Sequence, residues 1–245
     1  MIYYLPMAGH SKWAQIKRKK QAKDQQRGKL FSKLSREITI AVVQGGGMPD
    51  PEKNVRLRMA VEKAKQMRMP KENIKRAIDR ALGKSGGEVF EQVYEGFAPY
   101  GVGVLIYSLT DNRNRTTNQI RQVLEKAGGK LGIKGSVEHL FKKCAAVVVP
   151  KDRVEEDSLF EFAQAVEADD INQDDQDYIL LFPLEKMTAG KRKLEQMGLV
   201  DIVPELYYNP EITVALDDKK KDVIEGVVES LEELEDVQKV FHNAV

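Results

Sequence analysis

The residues of this 245-residue chain that point most clearly to a chemical role form a basic run near its start. Four consecutive cations, Lys17–Lys20, are flanked by Lys12 and Lys23, and no acidic residue precedes Asp24. Ammonium and guanidinium groups at this density attract a polyanion, because every phosphate that they neutralise releases condensed counterions. The run therefore predicts binding to a phosphate backbone. A solvated basic tail or a targeting segment is the alternative interpretation.

The sequence of the basic run itself favours a helix only weakly. Ser11 is a suitable N-cap, and Trp13, Ile16 and Lys20 share one stripe at helical spacing, but charge covers the other faces. We therefore expect residues 7 to 27 to be loosely held when free and to order against phosphates. Trp13 has two alternative roles, stacking on an unpaired base or packing on apolar neighbours.

The following segment continues the basic surface on a firmer element. Phe31, Leu34, Ile38 and Ala41 predict an amphipathic helix over residues 29 to 44, whose cations point away from the apolar stripe. The predicted nucleic-acid contacts are His10, Lys12, Trp13, Lys17, Arg18, Lys19, Lys20, Lys23, Arg27, Lys29, Lys33 and Arg36.

Charge is divided sharply along the chain, although the formal net charge is only +1. Residues 1 to 83 contain 20 Lys and Arg against 7 Asp and Glu, whereas residues 84 to 245 contain 19 against 31. A basic part raises the local concentration of a polyanion, and an acidic part repels it. The division therefore predicts that a nucleic acid approaches through the N-terminal part.

Residues 1 to 83 predict an all-α domain. Gly45–Gly47 ends the first amphipathic helix and lacks the preceding strand and the Lys-Ser/Thr pair of a phosphate loop. Asp50 with Pro51 is expected to open a second helix, and Pro70 a third. These two helices are expected to expose further cations, namely Lys53, Arg56, Lys63, Arg68, Lys71, Lys75, Arg76 and Arg80.

After a linker at residues 84 to 87, the hydrophobic pattern changes to that of strands. Residues 84 to 135 predict a ββα unit, and residues 136 to 208 predict the βαββαβ order of a ferredoxin-like fold. Residues 209 to 245 predict βαβ elements too few to bury their own faces, so we expect them to complete the earlier sheet. The predicted fold is an α+β multidomain protein, in which a ferredoxin-like domain is inserted into a discontinuous α+β domain.

A polar loop, Asp111–Arg115, is predicted between a strand and a helix N-terminus, where backbone amides lack helical partners. Asn112, Arg113 and Arg115 form a candidate second phosphate contact. Alternatively, Asp111 and Asn112 are turn and cap residues, and the arginines pair with acids. The sequence leaves both interpretations open.

The sequence shows no catalytic or metal-binding constellation. His10, His139 and His242 lack metal-ligand spacing, and the single cysteine, Cys144, suits a core better than a nucleophile and excludes an internal disulfide. The acidic run at residues 174 to 177 predicts a hairpin turn rather than a cation site. We therefore expect no cofactor, no metal and no enzymatic activity. The alternative, a cleft enzyme or small-ligand protein, would require a deep pocket with buried, pKa-shifted carboxylates.

Several ordered motifs resemble the YebC/PmpR family over about residues 7 to 243. They are Met7–Trp13, Arg27–Lys33, Gly45–Gly47, Met69-Pro70, Tyr94–Gly96, Asp111–Thr116, Gly128-Gly129 with Gly135–Val137, and Asp236–Asn243. The chain departs from the family pattern in residues 1 to 6, which leaves Met1 and Met7 as alternative starts. It departs again at Glu167–Ile171, where relatives usually have a Gly-Ala-Glu-Asp-Val type of turn.

The resemblance implies a cytoplasmic, non-enzymatic protein whose three domains surround a cleft. Bacterial members are described as DNA-binding transcriptional regulators, mitochondrial relatives as translational activators for cytochrome c oxidase, and some bacterial relatives as ribosome-associated factors. We therefore expect a regulator of gene expression that binds DNA or, alternatively, ribosomal RNA. No run approaches the roughly 18 apolar residues that span a bilayer, so no membrane partner is expected, and we expect a monomer.

Overall fold

A computed structural model of the protein describes residues 27–83 and 89–245. Within these ranges, helices precede two antiparallel sheets, which confirms the predicted α+β class. The described residues divide into two compact units. The first unit contains residues 27–33, 90–141 and 210–245, and the second contains residues 34–83, 89 and 142–209. The predicted domain boundaries and the cleft stay predictions.

The elements alternate in type after the initial helices. In chain order they are α1 (Arg27–Gln44), α2 (Val55–Gln66), α3 (Lys71–Ala81), β1 (Phe90–Phe97), β2 (Gly103–Thr110), α4 (Arg113–Lys126), β3 (Lys130–Leu131), β4 (Phe141–Pro150), α5 (Glu156–Ala165), β5 (Asp170–Gln173), β6 (Asp177–Phe182), α6 (Met187–Gln196), β7 (Glu205–Pro210), α7 (Asp218–Glu232) and β8 (Val237–His242).

The connection between α1 and α2 is fixed by Asn54, the N-cap of α2, rather than by the predicted cap Asp50. The Asn54 Oδ1 accepts from the Leu57 N–H at 3.0 Å, and its Nδ2 donates to the carbonyls of Ala41 and Met48 at 3.0 and 3.1 Å. A buried amide therefore caps α2 and also donates to one carbonyl in the last turn of α1 and to one in the loop that follows it. An aspartate could do only the first, because its carboxylate has no donor.

The first sheet has the strand order β3-β1-β2-β8. Its strands are antiparallel, with Phe97 opposite Gly103 across β1 and β2, and Val104 opposite His242 across β2 and β8. Strands β1 to β3 and β8 thus belong to the first sheet, and the strands between them in sequence, β4 to β7, form the second. Helices α4 and α7 pack with β2 and β8 in a core that includes Val104, Ile106, Ile120, Leu124, Ile224, Val228, Leu231 and Val240.

The second sheet has the strand order β5-β6-β4-β7, built from the predicted βαββαβ sequence of elements. Phe162 on α5 and Phe182 on β6 meet edge to face, with ring centroids 6.0 Å apart. Cys144, the single cysteine of the chain, is buried on β4. Between β5 and β6, the Asp174 Oδ1 accepts from the N–H groups of Gln176 and Asp177, which confirms the predicted hairpin turn.

Two lysines connect helices to the second sheet's elements within the second unit. Lys191 on α6 is fully buried, and its Nζ lies 2.9 Å from Glu62 Oε2 on α2. Lys63, also on α2, lies 2.7 Å from Glu37 Oε1 on α1 and 3.2 Å from Glu205 Oε1 on β7. Burial opposes the charge of Lys63, but the two carboxylates outweigh it and raise the pKa of the ammonium. The ion pairs of Lys63 therefore join α1 and α2, which are neighbours in sequence, to β7, which lies much later in the chain.

Candidate nucleic-acid interface

The predicted basic contacts fall partly within the described residues. Arg27 is the first residue of α1, and Lys29 lies exposed in its first turn. Lys33 is half-buried and donates from Nζ to the Glu232 carbonyl at 2.6 Å. Glu232 ends α7, where unpaired carbonyls favour a cation. The other predicted contacts, His10, Lys12, Trp13, Lys17, Arg18, Lys19, Lys20 and Lys23, lie outside the described residues.

Arg36 is buried, which corrects the prediction that it faces a phosphate backbone. It is 8% exposed and precedes the buried Ile40 by one helical turn. Every residue from Ile38 to Val42 is also buried, so α1 is enclosed over a wider arc than the single predicted stripe. The hydrophobic pattern did not predict the burial of Arg36, because arginine is normally exposed. Whether a particular arginine is buried depends on contacts with distant parts of the chain.

Helix α3 exposes cations on the side away from its buried Ile74 and Ala77. They form two pairs at i, i+4 spacing, where like charges destabilise a helix by roughly 0.2 to 0.5 kcal/mol per pair. Glu72 and Asp79 lie on the same side and form opposite-charge i, i+4 pairs with Arg76 and Lys75, so the pairs offset one another within the helix. Four cations against two carboxylates leave this side with an excess of positive charge, which attracts a polyanion. The four residues are Lys71, Lys75, Arg76 and Arg80, and we call them the α3 cations.

The region of α2 adds to this positive surface, with one correction. Lys63 was predicted to be exposed there, but its side chain is only 16% exposed and is held by Glu37 and Glu205. Its neighbour Lys65, two positions later, is exposed instead. The other cations that were predicted to be exposed in this stretch are exposed, namely Lys53, Arg56 and Arg68.

The polar loop at residues 111 to 115 lies at the N-terminus of α4, as its sequence predicts. Asn112 is the N-cap, and its Oδ1 accepts from the Arg115 N–H at 3.0 Å. Asn112 therefore already uses its side-chain oxygen to satisfy a backbone donor of the first turn.

Arg115 is the centre of an ion-pair network within the first unit. Its Nη2 lies 2.7 Å from Asp236 Oδ2 and 2.7 Å from Asp111 Oδ1. The hydrogen bonds that the guanidinium donates to Asp236 and, to a smaller extent, to Asp111 raise its pKa. The same Asp236 oxygen accepts from the Thr116 hydroxyl at 2.7 Å and the Thr110 hydroxyl at 3.2 Å. The charge of Arg115 is thus opposed by two carboxylates, which weakens its attraction for a phosphate.

Arg113, in the same loop, contacts an aromatic ring instead of the carboxylates that hold Arg115. Its guanidinium carbon lies 4.2 Å from the centroid of the Phe90 ring, a stacking distance, and the residue is exposed. Its carbonyl accepts from the Tyr94 hydroxyl at 3.3 Å. Among the described residues it forms no ion pair. Of the three predicted contacts here, Arg113 therefore retains the most accessible positive charge.

Glu95 on β1 holds the loop that follows β3. Its two carboxylate oxygens accept N–H bonds from Gly135 at 2.6 Å, Val137 at 2.6 Å and Glu138 at 2.8 Å. Burial acts to raise the pKa of Glu95, but these three donors leave it below its usual range. Sequence reasoning missed this role, because no local spacing links an acceptor to donors about 40 residues away.

The described ranges contain no group of three or more His, Cys, Asp and Glu side chains that could hold a metal ion. A cavity of about 450 Å³ in the first unit is lined by Phe97–Gly101 and Gly128–Lys130, none of them a carboxylate. No helix within these ranges is long and apolar enough to cross a membrane.

Two family profiles match almost the whole chain. The profile described as the TACO1/YebC protein N-terminal domain matches residues 11–84, and the profile described as the TACO1/YebC second and third domain matches residues 89–244.

Similar proteins extend over the same length. A probable transcriptional regulatory protein of Aquifex aeolicus is 46% identical over 240 residues, which cover 97% of this chain and 95% of that protein. A protein of the same description from Persephonella marina is 45% identical over 241 residues, which cover 97% of this chain and 95% of that protein. The crystal structure of a conserved hypothetical protein from Aquifex aeolicus aligns with a TM-score of 0.84 at 42% identity, covering 96% of this chain and 97% of that one.

Proposed function

Because the chain belongs to the TACO1/YebC family, we propose that it is a non-enzymatic regulator of gene expression that binds nucleic acid through its basic N-terminal part. The observation that carries this proposal is the set of α3 cations, which are exposed and outnumber the two carboxylates of the same helix. They add to the field of the basic run at residues 12 to 23. The names of the relatives favour transcription, and hence DNA, as the target.

The proposed contact is with the phosphate backbone rather than with base edges. Phosphate contacts fix the register of a protein on a duplex, whereas sequence is read by side chains that reach into a groove. The exposed side of α3 carries chiefly Lys and Arg, which suit phosphates. Arg113 is the proposed second contact, while Asn112 and Arg115 contribute mainly by shaping its loop.

The salt dependence of binding tests this placement. Replacing the four α3 cations by Gln should lower the magnitude of the slope of log K against log salt by up to about 3 to 4, because each phosphate contributes about 0.9 on B-DNA. Replacing Lys17–Lys20 by Ala should have a similar effect. Fluorescence anisotropy with a labelled duplex at several salt concentrations measures both slopes.

A matched control removes the same number of charges elsewhere. Lys142, Arg153, Lys186 and Lys193 each pair with a carboxylate in the second unit. Changing these four to Gln should leave the slope nearly unaltered, because their carboxylate partners already oppose their charge. Equal slopes for both four-residue variants would show that net charge alone governs binding and would contradict the proposed surface.

Translation on the ribosome is the second candidate function. Backbone contact without base recognition suits an A-form RNA helix as well as B-DNA, because RNA duplexes are recognised mainly by shape. Sedimentation of cell extracts through a density gradient separates the two. Migration with ribosomes would support binding to ribosomal RNA, and absence from them together with tight duplex DNA binding would support transcription.

We also propose the domain boundaries, the cellular environment and the oligomeric state of the protein. The pairing of β8 with β2 supports an α+β domain of residues 84–135 and 209–245 into which residues 136–208 are inserted. The single cysteine supports a cytoplasmic, reducing environment. A monomer is proposed, and light scattering coupled to gel filtration tests it.

A further inference from the structure

The turn between β1 and β2 presents an aromatic side chain at the edge of a cavity. Tyr100 lies in the short 3₁₀ turn Pro99–Gly101 and is 49% exposed. It lines the cavity of about 450 Å³ together with Phe97 and residues 128–130. That volume lies within the range of roughly 300 to 1,000 Å³ that small-molecule sites occupy. The cavity is therefore large enough for one nucleotide-sized group.

Tyr100 is held in an unfavourable backbone conformation. Its φ of 64° and ψ of 18° are left-handed values, which cost a residue with a Cβ roughly 1 to 2 kcal/mol. Glycine would occupy this position without the cost, as Gly101 does beside it with φ of 76°. Two consecutive left-handed residues form the type I′ turn that matches the twist of a hairpin, so the turn itself explains the conformation. The turn leaves the Tyr100 side chain about half exposed.

Two exposed lysines flank the aromatic rings of the cavity. Lys130 Nζ lies 5.6 Å from the Phe97 ring centroid, and Lys220 Nζ lies 5.8 Å from the Tyr100 ring centroid. Lys220 also pairs with Asp217 at 2.8 Å, but both side chains are about half exposed, so water weakens that pair. Lys130 and Lys220 therefore place cations near the aromatic rings that line the cavity, and this combination suits a group with a π-face and a negative charge.

We propose that this cavity binds one unpaired nucleotide of a single-stranded nucleic acid, with its base on the Tyr100 ring and its phosphate beside Lys130 and Lys220. The inference rests on the proposed function, since it adds a second contact to the same polymer. Stacking on an aromatic side chain tolerates any base, because every base has a π-face. The site would therefore select unpaired strands over duplexes without reading their sequence.

The variant Tyr100→Gly separates binding from folding. It removes the ring and relieves the left-handed strain, so the melting temperature should stay equal or rise. Affinity for a labelled single-stranded oligonucleotide should fall about 5- to 150-fold, which corresponds to the 1 to 3 kcal/mol of a base–aromatic stack. Affinity for a hairpin duplex of the same length should change less than about twofold. Tyr100→Phe should keep the affinity for the single strand, because it keeps the ring.

Glu167→Gly is the matched control, because Glu167 has a φ of 53° and lies in the second unit. It makes the same backbone change without removing an aromatic ring, and single-strand affinity should stay at the wild-type value. Equal affinity of wild type and Tyr100→Gly for the single strand would overturn the inference and leave the proposed function standing. Equal losses for single strand and duplex would also overturn it. A wild-type protein that binds neither probe would overturn both the inference and the proposed function.

Discussion

The guanidinium of Arg115 lies 2.7 Å from the carboxylate of Asp236, a side chain that is 1% exposed. The pair joins the first turn of α4 to the residue just before β8, 121 positions later in the chain. The Thr110 and Thr116 hydroxyls complete the coordination of the same carboxylate. A loop that the sequence offered as a phosphate contact is therefore also a junction that holds the last strand of the first sheet.

Replacing Arg115 by Gln should lower the free energy of unfolding by about 3 kcal/mol, the lower end of the roughly 3 to 5 kcal/mol that breaking a buried ion pair costs. The reason is that Asp236 would stay buried without its cation, while water can partly replace the half-exposed guanidinium. The slope of nucleic-acid binding against salt should change little, because Arg115 is already neutralised. Urea unfolding and anisotropy titrations measure the two effects.

Arg113→Gln serves as the comparison two residues away. Arg113 is exposed and forms no ion pair among the described residues, so its loss should cost no more than the roughly 0.5 to 1 kcal/mol of its stacking on Phe90. The salt slope should fall by about 1 if it contacts one phosphate. The opposite pattern, with a lower slope for Arg115→Gln and an unchanged one for Arg113→Gln, would assign the phosphate contact to Arg115.

Lys63 gives a test of the connection between α1, α2 and β7. Lys63→Met should lower the free energy of unfolding by up to about 3 kcal/mol, because Glu37 and Glu205 lose the cation between them. Lys65→Met removes an exposed lysine from the same helix and should cost less than about 0.5 kcal/mol. Equal effects in urea unfolding would contradict a specific role for the buried ammonium.

Local pattern was enough to predict much of the fold. The period of α1, its end at Gly45–Gly47, and the βαββαβ order of the second sheet all follow from spacing and turn residues. The start of α2 was misplaced, because both Asp50 and Asn54 are good caps in isolation. Only Asn54 also has a donor that can reach the end of α1, and that choice depends on tertiary packing.

The candidate site was less predictable, for a related reason. Lys63 and Arg36 belong to a basic sequence and were expected at its surface, yet both are buried. The partners of Lys63 lie 26 and 142 positions away, so no local spacing indicates them. The strained conformation of Tyr100 was equally invisible, because its turn sequence fits several backbone geometries.

Glu95 should make the stability of the protein depend on pH in the acidic range. Its folded-state pKa lies below the value of about 4.3 of an unfolded glutamate. Its contribution is therefore fully present above pH 4.3 and is lost as the pH falls through the lower folded-state pKa. Glu95→Gln should be less stable at pH 7 by roughly 1.5 to 3 kcal/mol, because bonds from three amides to a charge are weakened.

The same variant should lose less further stability than the wild type between about pH 5 and pH 3, since glutamine does not titrate there. Thermal unfolding at several pH values measures the difference. Glu125→Gln, at an exposed position on α4, should retain the wild-type profile. Parallel profiles for wild type and Glu95→Gln would show that Glu95 is not the group responsible.

Glu167 occupies a backbone position that favours glycine. It follows α5 with a φ of 53°, and the next residue, Ala168, donates from its N–H to the Ala163 carbonyl at 2.8 Å, as in a helix-ending turn. Glu167→Gly should raise the free energy of unfolding by up to about 1 kcal/mol, because glycine adopts this conformation without steric cost. The exposed ion pair of Glu167 with Lys186 offsets only a part, since surface pairs contribute roughly 0 to 1 kcal/mol. A Lys186→Gln background removes that offset, and a drop in stability on adding Glu167→Gly to it would contradict the strained turn.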